Sequence, residues 1–202
     1  MFKMLDEITE FENWFLENIT IICPLNGKIS KQNLKPIQKK LLLDLLHENI
    51  SVKICARQQG VSTLISCLVL WKLSQSKPIK ILYVSPTART CENFINSMRL
   101  LTKNFEKKLQ FNNRFKNGSV LNIRYMDSLD QLIHIIQQYD LIVFDCFMLS
   151  YLGDHFKFSM VQPDQTLILW STDETTKMFD LESKKFFVDY KLRKIENLVA
   201  QE

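Results

Sequence analysis

The chain has 202 residues, 46% of them apolar and 24% charged, with a formal net charge of +4. This length suits one domain with a full hydrophobic core, and the composition excludes wholesale disorder. The mild basic excess permits contact with nucleic acid without requiring it. Cys23, Cys55, Cys67, Cys91 and Cys146 are scattered, with no CxxC pair and no neighbouring histidine. Zinc is therefore not expected, and reduced thiols fit a cytoplasmic compartment. The apolar run "STLISCLVLW" stops at Lys72, short of a membrane span, and the acids of "MFKMLDEITEFENWF" argue against an export signal.

In chain order, Met4, Leu5, Ile8, Phe11, Phe15 and Ile19 recur at helical spacing and predict an amphipathic first helix. The turn-rich "PLNGKISKQNLKP" follows. Pro36 is suited to the first position of a second helix, whose Leu41, Leu42, Leu45 and Leu46 make an apolar face. The chain then alternates. "SVKICA" reads as a strand, "STLISCLVLWKLSQS" as a buried helix, "IKILYVS" as a strand and "TARTCENFINSMRLLTKNF" as a helix. "FNNRFKNGSVLNIRYM" reads as a hairpin turning at Asn117-Gly118. "SLDQLIHIIQQ" is helical, and "DLIVFD" and "QTLILWST" are strands. Near-continuous apolar strands alternating with helices predict an α/β domain, mainly a parallel sheet sandwiched by helices, with the hairpin as an insertion. The division is an N-terminal helix and linker over 1–33, a core over 34–175 and an extension over 176–202, all within one domain.

Ligands of open α/β sheets bind outside the carboxyl ends of the strands, and three such ends bear chemistry. The first is "CARQQGVST". A phosphate-binding loop GxxxxGK[ST] wraps the phosphates in backbone amides, neutralises them with lysine and ligates magnesium through the hydroxyl. Gly60, Ser62 and Thr63 fit that form, but Cys55 stands for the first glycine and Val61 for the lysine. A plain strand–turn–helix connection capped by Ser62 is the better account of this segment taken alone. The second end is "DLIVFDC", where Asp145 has the position of a magnesium-binding Walker B acid; Cys146 stands where a glutamate would activate water. The third is "TLILWST", whose Ser171 and Thr172 are placed to sense a γ-phosphate.

Together these segments resemble the ATPase domain of the large terminase family, the DNA-packaging motors of tailed phages and related viruses. "ARQQGVST" resembles that family's loop, "LKPIQKKLL" its adenine-recognition segment, "ILYVSPTARTCENFINSMR" its second strand and helix, and "FKNGSVLNI" its hairpin. "LIVFDC" falls at its Walker B and "LILWST" at its coupling motif. The resemblance implies a P-loop NTPase fold, ATP and magnesium as cofactors, and a nucleotide site lined by Gln38, Arg57, Gln58, Gly60, Ser62 and Thr63. It also implies Asp145 as the metal acid and Ser171 and Thr172 as coupling residues. About 27 residues follow the resemblance, too few for the family's RNase H-like nuclease domain, so no nuclease activity is expected.

The departures at Val61 and Cys146 remove the point charge on the phosphates and the activating acid. Three readings result. The first is a terminase-like domain that is catalytically degenerate and acts as a binding or regulatory component of a viral packaging or replication assembly. Its partners there are nucleic acid or other subunits, in the host cytoplasm. The second is an active ATPase using Arg57 or Lys53 in place of the lysine. The third is a structural adaptor that binds no nucleotide. Lys103, Lys107, Lys108, Arg114, Lys116 and Arg124 form a basic stretch, either a solvated face or a contact to nucleic-acid backbone, with Lys107, Lys108, Arg114 and Lys116 as the candidates.

Overall fold

A computed structural model describes residues 2–22, 29–30, 33–55, 60–101, 110–125, 134–145, 162 and 164–172. Arg57, Gln58, Lys103, Lys107, Lys108, Cys146 and the extension over 176–202 lie outside the described residues.

Four helices and eight strands are described: α1 Phe2–Asn18, β1 Ile21–Ile22, β2 Ile29–Ser30, α2 Pro36–His47, β3 Ile50–Cys55, α3 Val61–Ser74, β4 Lys80–Ser85, α4 Ala88–Leu101, β5 Asn112–Arg114, β6 Val120–Tyr125, β7 Leu141–Phe144 and β8 Thr166–Thr172. β1 and β2 pair as a short antiparallel ribbon inside the stretch that reads as turn-rich in sequence. The other six strands form one sheet in the order β3-β8-β7-β4-β6-β5. Every pairing is parallel except β5 with β6. The last strand, β8, is thus inserted between β3 and β7.

The β3-to-β4 and β4-to-β6 connections step the same way across the sheet, and right-handed crossover then puts α3 and α4 on one face. The two helices pack against each other, and α3 also meets α1 and α2. This explains the composition of α3. Ten of its 14 residues are buried, because a helix surrounded by other elements has no polar face to keep wet. α4 has one dry side, made by Cys91, Phe94, Ile95, Met98 and Leu101 at helical spacing. α1 is seated by Phe11, whose ring meets Trp71 edge-on at 5.3 Å, with ion pairs Lys72–Glu7 and Lys39–Glu12 at 3.1 and 2.6 Å on the rim.

Strand alternation sorts the sheet into two faces. Ile81, Tyr83, Leu121, Ile123, Leu141, Val143 and Ile168 join the core cluster with the helices. Their alternates Leu82, Val84, Ile142, Phe144, Leu167 and Leu169 are equally buried, so both faces of the central strands are covered.

The hairpin forms where the sequence places it, and β6 pairs with β4 along its whole length, so it is built into the margin of the main sheet. The long parallel register with β4 outweighs the three antiparallel pairs to β5. Its turn carries one left-handed residue, Gly118 at φ 86°. The Gly118 N–H donates to Phe115 O, and the Phe115 N–H to Ser119 O, the pattern of a three-residue loop closing on a glycine bulge. Asn117 Nδ2 donates to Leu73 O and Gln75 O at 2.9 and 2.7 Å, tying the turn to the end of α3.

Asn117→Ala leaves both carbonyls without that donor. We expect a loss of about 1–3 kcal/mol in unfolding free energy, measured by urea denaturation, with the native fold retained.

Candidate functional site

The parallel sheet brings the ends of β3, β8, β7 and β4 to one edge. In register, Cys55 lies opposite Thr172 and Phe144 opposite Leu169, so the chain leaves β3, β8 and β7 side by side. The three motif-bearing strand ends are therefore neighbours. One strand separates β3 from β7, a spacing of about 10 Å.

α3 begins at this edge. Its N-cap is Gly60, at φ 75° and ψ 23°, and the helix starts with Val61. The sequence reading in which Ser62 caps the helix is corrected here. Gly60 has no side chain to accept a capping hydrogen bond, and its left-handed backbone turns the chain into the helix two residues earlier. Ser62 lies in the first turn with its side chain exposed, and Thr63 is half-buried beside it. Val61 is 7% exposed and belongs to the apolar core cluster. The position that carries lysine in a phosphate loop thus presents an isopropyl group to the protein interior.

Gln38 reaches the same place from α2. Its Oε1 accepts the Lys35 N–H at 3.0 Å, closing the first turn of that helix behind Pro36. Its Nε2 lies against Gly60, where an added Cβ would come within 2.7 Å. The residue matched to adenine recognition and the glycine of the loop are in contact, although 22 residues separate them in the chain.

Asp145 follows β7 directly, with its N–H donating to Val84 O at 2.8 Å. Tyr83 OH donates to Asp145 Oδ2 at 2.5 Å. Tyr83 is itself buried and stacked on Phe94 of α4, with ring centroids 3.6 Å apart and planes 9° from parallel. Asp145 is half-buried and stands on the helix side of the sheet, with Tyr83 and Val143. Cys91 is buried nearby; burial, and then the charge of Asp145, push its thiol up to about 12. Cys67, inside α3, is raised to about 12 by burial. Both thiols are inert at neutral pH. Ser85 closes this end of β4, its Oγ donating to Thr90 Oγ1.

Tyr83 was not singled out from sequence. A buried tyrosine needs an acceptor for its hydroxyl, and "KILYVS" offers none locally, which is the signal that points to a partner on another strand. Ser171 and Thr172 lie in the final turn of the backbone pairing between β8 and β3, and Lys53 is in register with Trp170. Arg114, Lys116 and Arg124, the described members of the basic stretch, are exposed; Arg114 and Lys116 lie on β5 and its turn, away from this edge, and Arg124 lies on β6 in register with Val84, toward it. A separate open groove of about 530 Å³ lies between α4 and the start of β5, lined by Glu92, Ile95, Asn96, Arg99, Gln110, Phe111 and Asn112. It shares no residue with the strand-end site.

Among the described residues, the donors suited to a nucleotide and its magnesium are the Ser62 and Thr63 hydroxyls, the first amides of α3 and Asp145. They fit the metal side of such a site. The charge that would meet the β- and γ-phosphates is missing at position 61.

No protein-family model and no curated protein sequence matches the chain. Among solved structures, the crystal structure of the HK97 bacteriophage large terminase superposes with a TM-score of 0.60 at 12% sequence identity. The match covers 91% of this chain and 41% of that one. The fold is terminase-like. At this identity the likeness establishes architecture alone: a mixed α/β domain with five parallel strands and packed helices. The chain spans less than half the length of the terminase chain it matches. No described helix is long and apolar enough to cross a membrane.

Two substitutions test the terminase-like edge. Gly60→Ala places a Cβ at positive φ and against Gln38 Nε2, and is expected to cost about 1–2 kcal/mol in urea melts. Tyr83→Phe removes the donor to Asp145 and is expected to cost about 1–3 kcal/mol, a loss much reduced in the Asp145→Ala background.

Proposed function

We propose that this chain is a terminase-like P-loop domain that has given up efficient ATP hydrolysis and serves as a binding or regulatory component of a viral DNA-packaging assembly. The supporting observation is the burial of Val61 in the apolar core at the position of the phosphate-binding lysine. Transition-state stabilisation in phosphoryl transfer rests on positive charge around the transferring phosphate. A valine turned into the interior supplies none. Arg57 remains the residue of the loop with suitable charge, and Asp145, Ser62 and Thr63 remain as metal-side groups. In this reading Gln38, Arg57, Gln58, Gly60, Ser62 and Thr63 form a relict nucleotide site, Ser171 and Thr172 no longer couple hydrolysis to motion, and ATP with magnesium binds weakly or not at all.

The architecture shared with a phage large terminase supports the packaging role in this reading.

Magnesium–ATP hydrolysis measured by phosphate release is the test. We expect turnover at the buffer background, unchanged in Asp145→Ala, and at most a small thermal shift at millimolar ATP. Turnover above background that Asp145→Ala abolishes would overturn the proposal and establish a working ATPase that replaces the lysine by another cation.

A further inference from the structure

We infer that a nucleic-acid phosphate backbone binds where the connection between α3 and β4 meets the turn between β5 and β6, on Lys77, Lys80, Arg114 and Lys116. The inference deepens the partner half of the reading above and makes no use of the nucleotide edge.

Residues 75–80 and 114–120 contain these four cations and no acid. The two segments are more than 30 residues apart in sequence, and tertiary structure joins them. Asn117 Nδ2 donates to Leu73 O and Gln75 O, the Ile79 N–H donates to Ser119 Oγ, and the Val120 N–H donates to Ile79 O. Gly118 lies against Pro78, near enough that an added Cβ would be 3.6 Å from the proline ring. Lys77 adjoins Pro78 and Lys116 adjoins Asn117, so both side chains flank this contact. In the sheet, Lys80, Val120 and Arg114 lie in one row across β4, β6 and β5. Alternation turns that row away from the helices, because Ile81, Leu121 and Asn113 of the next row are the buried ones.

Lys77, Lys80, Arg114 and Lys116 are all exposed. The acid beside them among the described residues is Asp140, immediately before β7, and its Oδ2 accepts the Lys80 N–H at 2.7 Å. Among the described residues, the exposed large apolar ones, Leu16, Ile37, Leu100 and Tyr125, all lie on other segments. A protein partner ordinarily needs an apolar anchor at the centre of its contact. A polyanion needs only spaced cations, and binding gains from counterion release. The surface therefore fits a phosphodiester backbone. It lies at the amino ends of the strands, about 17 Å along β4 from the nucleotide edge.

The test is fluorescence anisotropy of the full chain with a labelled 30-base-pair duplex and a 30-nucleotide single strand, from 50 to 200 mM salt. Four backbone contacts predict a log–log salt slope of about −3.6 on the duplex, roughly a 150-fold loss of affinity across that range. Lys77→Gln with Lys116→Gln should bring the slope to about −1.8. The charge-matched pair Lys40→Gln with Arg99→Gln, on α2 and α4, should leave it unchanged, and both pairs should melt as the parent does. Whichever form binds more tightly identifies the strand state recognised. Absence of saturable binding at 50 mM salt, an equal loss in the control pair, or equally tight binding of polyglutamate would each overturn the inference. None of these outcomes alters the ATP measurement, which tests the nucleotide edge separately.

Discussion

The burial of α3 on every side is the constraint from which the rest of this structure follows. The middle of the helix is packed against α1, α2 and α4, and each end organises a different surface. At its start, Gly60 supplies a left-handed turn under the amide of Gln38, and Val61 is committed to the core before the helix has completed a turn. At its finish, the carbonyls of Leu73 and Gln75 receive Asn117 and hold the β5–β6 turn in place. The two ends of one apolar helix thus fix the carboxyl-end edge of the sheet and the basic face.

The same commitment explains why position 61 cannot be read as a lysine lost from an otherwise open pocket. A buried ammonium without a partner is costly, so a core that has closed around valine is also a barrier to restoring the lysine. The neighbouring acid is constrained in its own way. Asp145 accepts a hydrogen bond from Tyr83, whose ring is pinned against Phe94 on α4. One carboxylate oxygen therefore takes part in packing β4, β7 and α4 together. Chemistry and structure share this residue.

Much of the architecture was legible in the sequence. Apolar strands with short periods and helices with one or more dry faces announced an α/β sheet, and Pro36 marked the start of α2 because its fixed φ suits that position. Gly60 and Gly118, two of only four glycines, both have positive φ. Other features were misread or missed for local reasons. Ser62 looks like a cap because serine often is one, yet the glycine before it turns the chain first. The β5–β6 hairpin is legible from its turn signal, while the register that binds β6 to β4 leaves no local mark. The link from Tyr83 to Asp145 spans 62 positions and has no periodic signature.

What the sequence determined by itself was the set of elements and the order of chemistry-bearing strand ends, since both depend on interactions among near neighbours in the chain. Tertiary structure alone decided that β8 would lie between β3 and β7, that Val61 would point inward, and that Lys77 and Lys80 would meet Arg114 and Lys116. The reason is physical. Parallel pairing and helix burial join residues tens of positions apart, and the free energy of those contacts depends on which surfaces meet, a quantity no single segment carries.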